Sequence, residues 1–347
     1  MNTNNGTAEQ ITMNSMTSAQ ITRSMKLWSK TNRCLMIWSG PGAGKTSVGR
    51  QFAVCEKRKL YEFNVNGMDP VDLRGFGSIK NGKTIWNPPA FLPDKPGGVI
   101  QIEDLPNAHP QVLTSLYSLI LDGKLGDYVL PKDTFIICNG NREADKSFVN
   151  KMPTALALRF IHVQLVFDLE CFIENAIKND WDPRVIYFCR AFPKHISKFD
   201  PNSKEKAQSV PRTMEFLSDF MKVDPDKDLI LPNSAGTVGQ ETALDFVAFL
   251  DVLDDLPDVT AALNDPSTLQ EIPSKPSVMF AFIGALAKHV KDKTMANFII
   301  IAERMLKEKY GEFAVTMISD AIRYNDKLME TKSYISWKTK HSDLYVM

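Results

Sequence analysis

From Leu35 to Ala53 the chain passes from an apolar run, Leu35-Met36-Ile37-Trp38, through Ser39-Gly40-Pro41-Gly42-Ala43-Gly44-Lys45-Thr46-Ser47 into a segment of helical character ending at Phe52-Ala53. Strand, glycine-rich turn and helix in that order form the context of a phosphate-binding loop. Glycines let successive backbone N–H groups converge on phosphate oxygens, and the helix N-terminus adds partial positive charge. Lys45 is then placed to reach the β- and γ-phosphates, and the Thr46 hydroxyl to ligate Mg²⁺. The residue where this motif has its first glycine is Ser39.

A loop of this kind must sit at the end of a parallel sheet, and 347 residues suffice for that sheet and a second domain. Lys plus Arg and Asp plus Glu both number 41, so the formal net charge is zero. A general attraction to nucleic acid or to an anionic membrane is therefore not indicated, and neither is expected as a partner. Basic runs such as Lys57-Arg58-Lys59 read as solvated faces. Five scattered cysteines without Cys-x-x-Cys spacing favour free thiols in a reducing compartment and give no zinc signal. The N-terminus lacks the apolar segment of a signal peptide, and the apolar stretch Val278 to Ala287 is too short to span a bilayer. A cytoplasmic protein is expected.

The further strands of the sheet can be read in order. Lys59 to Val65 alternates as a second strand. A long Gly- and Pro-rich region follows, Gly67 to Pro96, in which Asn81-Gly82 signals a hairpin. Val99-Ile100-Gln101-Ile102 then ends in two adjacent acids, Glu103 and Asp104. Beside the phosphate-loop strand, such acids would face the γ-phosphate and its metal. One can hold the metal, and the next can orient or deprotonate the attacking water. A solvated acidic strand end is the plainer alternative. Pro110 to Leu121 reads as a helix, Gly123 to Leu130 as a short hairpin, and Thr134 to Cys138 as a strand running into Asn139-Gly140-Asn141-Arg142. A carboxamide there can contact phosphate or water, although Asn-Gly-Asn also suits a turn. Met152 to Phe160 reads as a helix ending in Arg159, followed by a strand from Ile161 to Phe167.

Beyond Asp168 helical periods dominate: Leu169 to Ile177, Pro183 to Phe192, Pro211 to Met221, Gln240 to Leu253, Val278 to Val290, Ala296 to Met305 and Phe313 to Leu328. Asp224 to Gly239 reads as a loop. The expected organisation is a flexible tail over 1–18, an α/β nucleotide-binding domain over 19–167, a helical lid and C-terminal helices over 168–330, and a tail over 331–347.

Taken together, these residues resemble the AAA+ ATPases, in particular the MoxR-like branch that often works with von Willebrand factor A-type partners. Gly40-Pro41-Gly42-Ala43-Gly44-Lys45-Thr46 resembles Walker A, and Val99 to Asp104 resembles Walker B. Asn141 resembles sensor 1, Arg159 an arginine finger, and Arg212, in Ser209-Val210-Pro211-Arg212-Thr213, sensor 2. The resemblance implies a P-loop αβα domain followed by an all-α lid, ATP and Mg²⁺ as cofactors, a homo-oligomeric ring of six subunits, and the remodelling or activation of a protein partner. It gives Lys45 and Thr46 the phosphates and metal, with Glu103 supporting the metal. It makes Asp104 the base, has Asn141 position water, sends Arg159 to the neighbouring subunit's γ-phosphate, and has Arg212 report to the lid. Walker B usually ends Asp-Glu; here the order is Glu103-Asp104, which points to slow turnover because catalysis is sensitive to small displacements. A McrB-like nucleic-acid motor and a non-catalytic, nucleotide-gated scaffold are the alternatives.

Overall fold

A computed structural model describes residues 12–31, 33–142, 145, 152–254 and 256–345. Contacts divide the chain into two units: Met1–Asp168 with Phe199–Ser203, and Leu169–Lys198 with Lys204–Met347.

The first unit is built on a six-stranded, wholly parallel sheet. Its strands in chain order are β1 (Ser15–Met16), β2 (Cys34–Ser39), β3 (Leu60–Asn64), β6 (Val99–Glu103), β9 (Phe135–Asn141) and β10 (Phe160–Leu165). Two antiparallel hairpins lie outside it: β4 (Phe76–Lys80) with β5 (Lys83–Asn87), and β7 (Lys124–Leu125) with β8 (Tyr128–Val129). The spatial order is β1-β10-β2-β9-β6-β3.

Both faces of this sheet are covered, which is why β2 and the start of β9 read as apolar runs, while β3 at the edge alternates. Leu35 and Ile37 point to one face, with Phe135, Ile137 and Val163. There they bury Ile21 and Met25 of α1 (Ser18–Trp28) and Val48 and Phe52 of α2 (Lys45–Cys55). Met36, Ile100, Ile102, Ile136 and Cys138 point to the other face, against Val112, Leu116 and Leu119 of α4 (Pro110–Asp122). Two short helices, α3 (Pro70–Arg74) and α5 (Thr154–Ala157), complete the unit.

Three expectations change here. The sequence pattern sets the acid-ended strand beside the phosphate-loop strand, but β9 lies between β2 and β6. The opening of the chain carries no periodic pattern, yet its last residues join the sheet: β1 pairs with β10, and the Gln164 amide donates to the Asn14 carbonyl at 3.0 Å. Residues 1–11 lie outside the described residues. The helix expected from Met152 to Phe160 is shortened to Thr154–Ala157, because Phe160 is already paired with Cys34 in the sheet.

The second unit is all helical: α6 (Leu169–Lys178), α7 (Pro183–Ala191), α8 (Pro211–Lys222), α9 (Lys227–Val238), α10 (Gln240–Asp254), α11 (Val259–Asn264), α12 (Pro276–His289), α13 (Met295–Lys307), α14 (Gly311–Tyr324) and α15 (Lys332–Lys340), with short 3₁₀ turns between some of them. Phe282, Phe298, Met317 and Trp337 anchor its core. Arg190 is buried in an ion-pair cluster with Glu170 and Asp320, and Arg323 joins both acids.

Two sequence readings are corrected in this unit. The Asp-, Pro- and Asn-rich stretch 224–239 contains a helix, α9, despite Pro232 in its interior. Ser234 and Val238 are buried there, and the Asn233 amide and Thr237 hydroxyl cap carbonyls within the helix at 2.9 and 2.7 Å. Packing has overridden local propensity. Residues 331–347, read as a tail, carry α15, whose Tyr334 and Trp337, three positions apart and so on one face, are buried in the core.

Candidate nucleotide site

The loop between β2 and α2 has positive φ at Gly42 (72°) and Gly44 (92°), and Gly44 occupies the N-cap position of α2. Residues with a Cβ adopt such angles at a cost, so the glycines permit this turn. The first N–H groups of α2 have no partner within the helix and supply a concave set of donors.

Lys45 is buried, with its ammonium directed back into the loop. It donates to the Gly40 carbonyl (2.9 Å), the Ser39 carbonyl and hydroxyl (both 3.2 Å), and Asn141 Oδ1 (2.8 Å). Ser39 thus does more than fill a glycine position: its hydroxyl is one acceptor for the Lys45 ammonium. Asn141 reaches Lys45 from the end of β9, the strand adjacent to β2. The carboxamides of the Asn-Gly-Asn run belong to a strand, not to a turn.

Glu103 ends β6, and its carboxylate collects three donors. The Thr46 hydroxyl lies 3.0 Å from Oε2, Asn139 Nδ2 lies 2.7 Å from Oε1, and Gln101 Nε2 also bonds Oε1. Intervening β9 therefore does not separate Glu103 from the loop; it contributes Asn139 to hold the carboxylate. Gln101 Nε2 also donates to the Thr46 carbonyl at 3.0 Å. Gly49 makes room for this carboxamide: a Cβ there would stand 1.8 Å from Gln101 Oε1. Gln101 and Asn139 are fully buried, and the oxygen of each side-chain amide has no hydrogen-bond partner among the described residues.

Asp104 follows in a left-handed conformation (φ 55°), uncommon for a residue with a side chain and frequent at functional sites. Its carboxylate accepts from Asn64 Nδ2 at 2.9 Å, at the end of neighbouring β3. Arg142 pairs with Asp145 at 3.0 Å, and its guanidinium stands 3.4 Å from where a Cβ on Gly40 would lie. Below the site, burial pushes the Cys138 thiol well above its ordinary range and Cys34 up to about 12, so both stay protonated and inert as nucleophiles.

One end of the sheet thus brings together Lys45, Thr46, Glu103 and Asn141 by direct hydrogen bonds. Gly40, Pro41, Gly42, Ala43 and Ser47 belong to the same loop and helix start. Arg159 is not among these contacts: it is exposed, and its side chain has no hydrogen bond or ion pair among the described residues. Arg212 is exposed in the first turn of α8 in the second unit. Sequence reading missed Asn64, Gln101 and Asn139. The polar residue within an otherwise apolar strand at Gln101 was the available signal.

The donor set fits a nucleotide with a hard divalent cation. A threonine hydroxyl and a carboxylate are oxygen ligands of the kind Mg²⁺ prefers, and a lysine with converging N–H groups suits phosphate.

Strand order, loop and acid-ended strand define the AAA+ P-loop NTPase fold, with a central parallel sheet flanked by helices and a helical region following. Residues 36–160 match the model of the AAA domain, dynein-related subfamily. No curated protein matches the sequence. Among solved structures, the RuvB Holliday junction branch migration motor of Thermotoga maritima aligns over 93% of this chain and 87% of that one, at 14% identity and a TM-score of 0.33. NtrX from Brucella abortus in complex with ATP aligns over 85% of this chain and 68% of that one, at 14% identity and a TM-score of 0.42.

Proposed function

We propose that this chain binds and hydrolyses ATP as a subunit of a MoxR-like ring that remodels or activates a protein partner. The observation that carries the reading is the direct bonding of Lys45 to Asn141 and of Thr46 to Glu103 at one end of the sheet. When ATP binds, Lys45 exchanges its loop acceptors for phosphate oxygens, so the loop need not import a new charge. Thr46 and Glu103 would hold Mg²⁺, which would supply positive charge against the phosphates. Asp104, held by Asn64, orients or deprotonates the attacking water. Asn141 fixes the water's position. Arg159 projects to a neighbouring copy's γ-phosphate, where such a group adds on the order of 10³–10⁵ in rate. Arg212 takes the reporting role on α8.

The short side chain of Asp104 supports a slow enzyme, timed more for switching than for flux. Neutral net charge favours a protein partner over nucleic acid. A von Willebrand factor A-type partner and a six-membered ring rest on the resemblance of the motifs. Titration calorimetry with ATP and Mg²⁺ tests the site. Lys45→Ala should abolish binding while the nucleotide-free protein still folds; unchanged affinity would mean that this loop is not the site.

A further inference from the structure

We propose that Trp38 and His162 are positioning residues that hold the turn carrying Arg159, an inference that rests on the reading of Arg159 as a group acting on a neighbouring copy. Arg159 is the single residue between Leu158, which closes α5, and Phe160, which opens β10. The turn stands out from the surface: Ala155, Leu158 and Arg159 are all exposed, Leu158 to 80%. A four-residue helix has little stability of its own. A group that must meet a phosphate in another subunit to within about an ångström therefore needs the turn fixed from below.

Two anchors do this. One is Phe160, buried and paired with Cys34 of β2. The other is a hydrogen-bond chain. Trp38 Nε1 lies 2.9 Å from His162 Nδ1, and His162 Nε2 lies 2.8 Å from the Ala157 carbonyl oxygen. An indole N–H can only donate. His162 Nδ1 must therefore accept, the ring's hydrogen sits on Nε2, and the ring donates to Ala157. That assignment leaves no freedom in the tautomer.

The recipient matters as much as the donor. The last carbonyls of a helix have no partner within it. In α5 the Thr154 carbonyl takes the Leu158 amide, and the Leu156 carbonyl takes that of Arg159. The Ala157 carbonyl, two residues before Arg159, is taken by His162. The imidazole is itself held in place. It lies at 17° to the Trp38 ring plane with centroids 6.0 Å apart, and meets Phe160 edge-on at 6.1 Å. Its backbone carbonyl accepts from Asn14 Nδ2 at 3.1 Å. Trp38 precedes Ser39 and Gly40 on the strand that leads into the phosphate loop. The relay thus ties the finger's turn to the strand that bears the subunit's own nucleotide loop.

The test uses the full-length protein and measures steady-state ATPase, nucleotide affinity and unfolding temperature for Arg159→Ala, His162→Phe, His162→Gln and Trp38→Phe. His162→Phe can neither accept from Trp38 nor donate to Ala157, so kcat should fall at least tenfold with KM and ATP affinity unchanged. Glutamine can do both, through Oε1 and Nε2, so His162→Gln should recover much of the rate. Trp38→Phe, which removes the donor that sets the tautomer together with part of the ring, should show an intermediate loss. Mixing subunits supplies the readout a merely structural role would not move. His162→Phe mixed with Lys45→Ala should regain activity, because some interfaces join an intact loop to an intact turn. His162→Phe mixed with Arg159→Ala should not, since both lack a competent finger. A wild-type kcat for His162→Phe beside an inactive Arg159→Ala would overturn the relay while leaving the finger. Rescue by Arg159→Ala would also overturn it, placing the defect in the variant's own site. Full activity of Arg159→Ala would remove the finger reading, and the relay's purpose with it. If His162→Phe fails to fold, equal rates for wild type, His162→Gln and Trp38→Phe refute the proposal, and a loss in Trp38→Phe relieved in His162→Gln sustains it.

Discussion

Glu103→Asp isolates the consequence of the acid order. The Glu103 carboxylate meets the Thr46 hydroxyl at 3.0 Å, the Asn139 amide at 2.7 Å and the Gln101 amide. Removing one methylene draws the carboxylate back by about 1.5 Å, the length of a carbon–carbon bond. A 3.0 Å contact then opens to roughly 4.5 Å, beyond hydrogen-bond reach. Bonds to a carboxylate are worth about 1.5–3 kcal/mol each, and a buried donor left unpaired costs about 1–3 kcal/mol. Asn139 and Gln101 are fully buried; Gln101 Nε2 keeps the Thr46 carbonyl at 3.0 Å, but the Asn139 amide has no other acceptor among the described residues. Losing two of the three contacts should therefore destabilise the first unit by about 2–5 kcal/mol. Displacement of a catalytic group by about 1 Å can cost about 10² in rate, so turnover should fall by roughly that factor while ATP still binds through Lys45. The assay pairs thermal unfolding of the nucleotide-free protein with phosphate release at saturating ATP. The double change Glu103→Asp with Asp104→Glu should recover little, because Asn139 and Gln101 are set for the longer acid. A Glu103→Asp protein as stable and as fast as wild type would refute the reasoning from these three donors.

Other outcomes follow from packing and titration. Trp337→Ala removes a buried indole from the core of the second unit, and should cost about 3–5 kcal/mol in the denaturant transition of that unit; no shift would mean that α15 is a dispensable tail. His195 is buried on Thr242 and Asp245, and burial holds its pKa below the ordinary 6.5, with the Asp245 carboxylate opposing. The unfolded chain then takes up a proton that the folded one resists. Stability should be unaffected by this group at high pH and fall as pH drops through 6.5. Urea midpoints between pH 7.5 and 5.5 should drop more steeply for wild type than for His195→Gln, and parallel slopes would dismiss the effect.

What could be read from the sequence follows the physics of each segment. The phosphate loop was legible because glycines, lysine and threonine at fixed spacing leave few alternatives, and the buried strands because both faces are apolar. The acids at 103 and 104 were legible as a pair. Their surroundings were not: β9 enters between β2 and β6 by a pairing distant in sequence, and only that pairing brings Asn139 to Glu103. Gln101 looked like one polar residue in a strand until Gly49 and Thr46 gave it a setting. Helix α9 was hidden by Pro232 and its many polar residues, since its stability comes from packing and side-chain caps. Tyr334 and Trp337 were hidden among the lysines of α15.

If ATP is hydrolysed at a site completed by a second copy of the chain, turnover depends on assembly. That dependence is tested most directly by measuring phosphate release per chain as protein concentration rises at saturating ATP and Mg²⁺, with oligomeric state followed by sedimentation. A shared site gives a low rate per chain in dilute protein, climbing to a plateau as copies associate, with no such climb for Arg159→Ala. A rate per chain that stays constant from monomer to assembled protein would contradict the shared site, and no ATP-dependent phosphate release from the assembled wild-type protein would contradict hydrolysis itself.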